Sequence, residues 1–299
     1  MIMQKEHYTK HQIVTGYAFL TPFLLMFIVF TVLPIAVSIV LSFTYFNGFS
    51  MPDFVGLSNY IKLFLSDELF MKALSNTLVF ALITGPVGYF LCLFLAWAVS
   101  EFPAKIRSVL TLLFYAPSIC GSAYLVFTII FSGDRYGWVN SFLMEMNMIY
   151  EPIQWTTDSD YMIYVALIVV LWSSLGSGFL SFIAGFLNVD ERLYEAGAID
   201  GVSNRWQELW YITLPSMKPQ LLFGAVMSIT SSFGVGPIID GIFGNPSTDY
   251  ALYTMVHELQ DYANTRLELG YASAIATVLF AIMLIANSLV QKIIAKVGD

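Results

Sequence analysis

The chain has 299 residues, 58% of them hydrophobic and 11% charged, with a mean hydropathy of +0.72. A soluble domain carries about 45–50% apolar and about 25% charged residues, so 13 basic and 21 acidic side chains are too few to wet a surface of this size. That excludes an ordinary cytosolic globular protein and a disordered chain. The net charge of −8 offers no basic footprint for a phosphate backbone, which excludes nucleic acid as a partner. An integral membrane protein is the class that remains.

Charged residues segment the chain. No Asp, Glu, Lys or Arg occurs from His11 to Pro52, Ala73 to Ser100, Ser108 to Gly133, Tyr161 to Val189, Pro219 to Ile239, or Leu269 to Gln291. Each stretch reaches the roughly 20 residues that a helix needs to cross the hydrocarbon core. In lipid the backbone must satisfy itself, and runs without alternating polarity argue for helices rather than a barrel. The expectation is an all-α integral membrane protein with six transmembrane helices, near 16–42, 76–98, 108–131, 162–187, 220–239 and 270–291. The first run follows Lys5 and Lys10. It is longer than a signal-peptide core and is followed by no small-x-small cleavage site, so it is expected to be a retained span.

With the N-terminus inside, inner segments hold Lys5, Lys10, Lys105, Arg107, Arg192, Arg205, Lys218, Lys292 and Lys296, against Lys62, Lys72, Arg135 and Arg266 outside. Nine against four sets both termini on the cytoplasmic face. Residues 1–15 are then a cytoplasmic N-terminus, 43–75 an extracellular segment, 76–291 the transmembrane core and 292–299 a cytoplasmic tail. Pro22, Pro34, Gly85, Pro86, Gly88, Pro117, Gly121, Gly176, Gly178, Gly234, Gly236 and Pro237 fall inside spans. They read either as kinks and close packing or as broken helices lining a path. Cys92 and Cys120 lie in apolar runs with no metal spacing and read as small residues inside helices.

The segment between spans four and five, 188–219, is long for a bundle connection. It reads NVDERLYEAGAIDGVSNRWQELWYITLPSMKP. Asp190 can cap a helix from Glu191 to Ile199, and Gly201 suits a left-handed turn at its end. A second helical segment follows with Trp206, Leu209, Trp210 and Ile212 as its apolar set, and Leu214-Pro215 is expected to end it. The small residues Ala196, Gly197 and Ala198 beside Glu195 allow close approach by a partner. An amphipathic interfacial helix without a partner has the same pattern.

Glu195-Ala196-Gly197, then Gly201, then Ile212-Thr213-Leu214-Pro215 resembles the EAA loop of permease subunits of binding-protein-dependent ABC importers. Phe54-Val55-Gly56-Leu57-Ser58-Asn59-Tyr60 resembles the FVGLxNY segment of the maltose-type carbohydrate permeases. Asn76-Thr77 and Gly270-Tyr271-Ala272-Ser273-Ala274 fit as well. The resemblance covers nearly the whole chain. It departs at Gly197, where the motif has Ala, and in the spacing from Gly201 to Ile212, which is one residue longer. A glycine there should loosen the first helix by up to about 1 kcal/mol.

The resemblance implies a type I ABC importer permease fold in which 188–219 is the coupling loop to a cytoplasmic ATPase dimer. Glu195, Ala196, Gly197 and Gly201 would form the joint, with Asp200 bracing it and Leu214 and Pro215 fixing the exit toward span five. It also implies a second homologous permease subunit, an extracellular solute-binding protein and a sugar substrate, with an oligosaccharide expected. ATP and Mg would belong to the ATPase chain, and this chain would hold no cofactor. The sequence agrees negatively: it has no P-loop, no HExxH, no GxSxG and no metal-ligand cluster.

The outer segments carry Asp53, Asp67, Glu68, Asp134, Glu145, Glu151, Asp158, Asp160, Asp249, Glu258, Asp261 and Glu268. They read as a solvated acidic surface or as the dock of the binding protein. Sugars take hydrogen bonds and aromatic faces, so Trp172, Ser173, Ser177, Ser231 and Phe233 are candidates for the solute path. Ser and Thr in membrane helices also bond their own backbone. Three rivals stand beside this reading. A membrane-embedded enzyme would need a catalytic group inside a span, and none is seen there. An ion-coupled secondary carrier would need a buried carboxylate relay or inverted repeats. A same-family importer of glycerol-phosphate-type solutes would want a cation in a span.

Overall fold

The computed structural model describes residues 10–295, with side chains from Thr15 onward. The segment before Lys10 and the last four residues, with Lys5 and Lys296, lie outside the described residues. The chain divides into two compact units. One takes residues up to Ser66 with Leu259–Val278; the other takes Asp67–Glu258 with the residues from Leu279 onward.

In the first unit, α1 (Lys10–Phe27) runs through a π-helical turn at Ile28–Val32 into α2 (Leu33–Leu41). A two-residue antiparallel hairpin follows, β1 (Thr44–Tyr45) with β2 (Asp53–Phe54), pairing Thr44 with Phe54 and Tyr45 with Asp53. α3 (Ser58–Leu65) comes next. Its first turn locks the end of span one. Asn59 Nδ2 donates to the carbonyls of Ser42 (2.8 Å) and Thr44 (3.0 Å), and the Tyr60 hydroxyl lies 2.6 Å from Ser42 Oγ. Gly270 donates its N–H to the Phe46 carbonyl at 3.0 Å, and a side chain there would run into the Thr44 carbonyl. The Asn-Tyr and Gly-Tyr pairs singled out in the sequence are thus structural clamps in this unit.

The second unit holds α4 (Glu68–Ser100), α5 (Ala104–Ile119), α6 (Val126–Ile130), α7 (Trp138–Glu145), α8 (Ser159–Ser173), α9 (Ser177–Leu187), α10 (Glu191–Ile199), α11 (Arg205–Glu208), α12 (Leu214–Ser216), α13 (Lys218–Phe233) and α14 (Gly236–Phe243). α15 (Met255–Gln260) and α16 (Leu269–Ile294) are shared between the units. Among the described residues, three helical stretches are each long and apolar enough to cross a membrane: Thr15–Leu41, Glu68–Ser100 and Leu269–Ile294. Three bent helix pairs pass the same test when taken together: α5 with Ala123–Ile130 (88°), α8 with α9 (44°), and α13 with α14 (41°). The breaks fall at Gly121, Gly176 and Gly234, so these glycines interrupt helices rather than kink them. Counting each bent pair once gives up to six candidate spans among the described residues, each overlapping one of the six charge-free stretches. Span two starts earlier than expected, at Glu68, because Asp67 caps it by accepting from the Phe70 N–H at 2.9 Å.

The core of this unit lies where α4, α9 and α13 cross. Cys92, Leu93, Ala96, Phe179, Phe182, Ile183, Leu221 and Ala225 are buried there. Gly178 and Gly224 face each other across the α9–α13 crossing, and the Phe182 ring fills the space that a side chain on Gly224 would take. Small residues at the contact let helices approach closely where lipid offers no hydrophobic drive. Both cysteines are free; Cys92 is buried and Cys120 exposed.

Candidate functional site: the loop between spans four and five and a hydroxyl-lined cavity

Asp190 caps α10 by accepting from the Arg192 N–H at 3.0 Å. At the other end Gly201 has φ +94°, the left-handed turn that stops the helix. Helical spacing then sorts the motif. Arg192, Glu195, Ala196 and Ile199 share one face and all are exposed, Ile199 by 87%. Gly197 is buried on the other face, beside the half-buried Tyr194. Asp200 is the C-terminal cap residue; its backbone N–H goes to the Ala196 carbonyl, and its side chain is exposed.

The second helical segment differs from the expectation. It ends at Ser216, one residue past Leu214-Pro215, but it is not one regular α-helix. α11 passes through a π-helical turn at Leu209–Thr213 into α12, which runs to Ser216. Pro215 lies one residue before the end of this continuous run, directly after the π turn. The π turn also splits the apolar set: Leu209 is buried and Ile212 half-buried, while Trp206 and Trp210 are exposed. Leu214 is buried. Arg205 bonds Glu208 at 2.8 Å and lies 3.2 Å from Glu101. The Glu208 hydrogen bond first, and then the Glu101 charge, raise its already high pKa.

A cavity of about 240 Å³ opens where the breaks of spans three, four and five meet span two. Tyr89, Ser118, Ser173, Ser174, Ser177 and Ser231 are among its lining residues, with Met227, Ser228 and Thr230. Helix breaks bring backbone polar groups to such a site, and hydroxyls add donors and acceptors. Ser174, Ser228 and Ser231 donate to the carbonyls of Leu171, Gly85 and Ser228, and keep their lone pairs. No carboxylate, amine, guanidinium or imidazole is among the lining residues.

The structure therefore brings Ser173, Ser177 and Ser231 together and leaves two other candidates elsewhere. Trp172 faces an apolar recess with Leu91, Leu95 and Pro117, its ring 5.1 Å from Phe127. Phe233 is buried and lines a second apolar recess with Pro86 and Ile282. Sequence reading missed Ser118 and Ile199, and weighed Ser174 only as one of the span-four hydroxyls. Ser118 and Ser174 lie next to helix breaks, and Ile199 is the apolar residue one turn after Glu195.

One more correction concerns the outer segments. Glu258 and His257 are buried, not part of an acidic surface. His257 Nδ1 accepts from the Thr254 N–H at 2.9 Å, which leaves the proton on Nε2, 3.0 Å from Asp240 Oδ1. Burial lowers the His257 pKa, against the opposing pull of Asp240.

An all-α membrane protein with broken spans, a polar cavity at the breaks and an exposed helical loop is built as a transport permease. Its sequence belongs to the family of binding-protein-dependent transport system inner membrane components, whose profile matches residues 18–298. It is 32% identical over 287 residues to the probable ABC transporter permease protein YesP of Bacillus subtilis, covering 94% of this chain and 90% of that protein. It is 30% identical over 232 residues to the lactose transport system permease protein LacF of Rhizobium radiobacter, covering 77% and 75%. Its fold is similar to a chain of the bacterial alginate ABC transporter solved in complex with alginate pentasaccharide-bound periplasmic protein. The TM-score is 0.74 at 21% identity, with 95% of this chain and 96% of that chain covered.

Proposed function

We propose that this chain is one of two permease subunits of an ATP-driven importer of neutral sugars, with oligosaccharides as the expected cargo. The observation that carries the reading is the sorting of α10, with Glu195, Ala196 and Ile199 exposed together while Gly197 is buried. A smooth helix face with one carboxylate suits docking into a groove of a cytoplasmic ATPase, where Glu195 would meet a basic residue. Gly197, Asp200 and Gly201 shape that joint, and Leu214 and Pro215 carry the chain on toward span five. ATP and Mg²⁺ are held by the ATPase, both termini face the cytoplasm, and an extracellular binding protein delivers the solute.

Three things support sugar as the cargo. The cavity lining is rich in hydroxyls, it is free of ionic groups, and one relative is a lactose permease. A phosphate-bearing solute such as glycerol phosphate would leave its charge without a cation there.

The test is reconstitution with the second permease, the ATPase and the binding protein, comparing the native chain with Glu195→Ala and Gly201→Asp. Binding-protein-stimulated hydrolysis and uptake are expected to collapse in both variants while membrane insertion persists. Uptake that continues without any ATPase, or that follows an ion gradient, would overturn the proposal in favour of a secondary carrier.

A further inference from the structure

We infer that Arg205 and Trp206 form a strut that delivers movement of the loop between spans four and five to the end of span two. The inference rests on the reading of that loop as the ATPase dock. Phe94, Trp97 and the C-cap residue Glu101 are spaced along one face at the end of α4. α11 lies against that face. The Trp206 ring is 5.0 Å from Trp97 and 6.3 Å from Phe94, and Arg205 reaches Glu101 at 3.2 Å.

The other end of the strut is tied to α10. Thr213 Oγ1 donates to the Glu208 carbonyl at 3.2 Å, so the Tyr194 hydroxyl, 2.9 Å away, is the donor to Thr213. Asn204 caps α11 through the Gln207 N–H, and the Gln207 side chain accepts back from the Ser203 N–H, both at 2.9 Å. A continuous path of contacts therefore runs from α10 through Tyr194, Thr213 and Glu208 to Arg205, Trp206 and the end of α4. Coupling between sites travels through contiguous networks of this kind when an element in them has two arrangements.

Two features allow movement. A cavity of about 240 Å³ lies between Trp97, Ser100, Tyr194, Leu209 and Thr213, so the loop is propped on the strut rather than packed solid. The π turn at Leu209–Thr213 sits between α11 and α12, and such turns recur at functional sites. Span five receives movement along the chain through α12, and span two receives it through the strut. An exposed ion pair adds little to stability. Here Arg205 sets the register, and the indole rings keep the distance.

The test uses the complete complex in liposomes and reads solute imported per ATP hydrolysed, together with co-purification of the ATPase. Arg205→Glu sets three carboxylates together and is expected to lower the import ratio by about fivefold or more while the ATPase still co-purifies. Arg205→Glu with Glu101→Arg is expected to restore it to within about twofold. Trp206→Ala should lower the ratio and Trp206→Phe should keep it. A native ratio in both Arg205→Glu and Trp206→Ala overturns the strut and leaves the docking loop intact. A loss in Arg205→Glu that the swapped pair does not repair also overturns it. Failure of the native chain to co-purify with any ATPase overturns the docking reading itself.

Discussion

Gly197 and Ile212 occupy one space: a methyl group on Gly197 would lie 2.5 Å from Ile212 Cδ1. The glycine at the third position of the motif is therefore matched by an isoleucine from the second helical segment, which covers it. Gly197→Ala gains about 1 kcal/mol of helix propensity but must displace the tip of Ile212. Ile212→Val alone removes a methyl and costs about 1 kcal/mol. In the double variant the added methyl fills the vacated space. The expected outcome is a melting temperature above the sum of the two single effects, a coupling of about 1 kcal/mol. Additive shifts in thermal unfolding of the purified chain would refute the shared space.

Burial disfavours the charged form of the His257 ring, which lies beside Asp240, Tyr253, Thr254 and the neighbouring Glu258. In the unfolded chain it protonates near its ordinary pKa of about 6.5. As pH falls below that value the unfolded state takes up a proton that the folded state resists, so folding stability falls with it. Thermal unfolding from pH 7 down to pH 5.5 should show this drop, and His257→Gln should flatten it. An equal slope in the variant would remove His257 as the cause.

Asn140 organises the segment from Ser132 to Trp155. Its amide nitrogen donates to the carbonyls of Ser132, Asp134 and Ile153, and its oxygen accepts from the Ile153 N–H and the Trp155 indole. The side chain is fully buried. Asn140→Leu leaves these groups unpaired at a cost of at least about 2 kcal/mol. Limited proteolysis should then cut between residues 132 and 158 faster than in the native chain. Unchanged protection would place the order of this segment elsewhere, for instance in the Asp134 turn. There the Ser132 hydroxyl first, then the N–H groups of Tyr136 and Gly137, hold the carboxyl below the usual range.

Ser231 borders the cavity at the break of span five. An indole there takes a large share of about 240 Å³. Ser231→Trp should abolish uptake while the ATPase still assembles, whereas Ser231→Ala should keep at least half of it, since the native hydroxyl already donates to Ser228. Full transport by Ser231→Trp in the reconstituted complex would exclude the cavity from the solute path.

Much of this protein was legible before any coordinates. Charge exclusion marked the six spans because hydrocarbon penalises ions wherever they fall in a helix. Asp190 and Gly201 announced both ends of α10 because capping and left-handed turns are local chemistry. Other features needed the tertiary structure. Leu214-Pro215 was expected to end the second helical segment, which runs one residue further, to Ser216, but the π turn at Leu209–Thr213 inside it was not legible. Trp172, Ser173 and Ser177 are near neighbours in sequence, yet the break at Gly176 and the neighbours of each face send the tryptophan to an apolar recess and the serines to the cavity. Asp240 and His257 meet across 17 residues, and Glu101 and Arg205 across 104. Local propensity carries no information about such pairs, because their contact exists only once helices distant in sequence have packed.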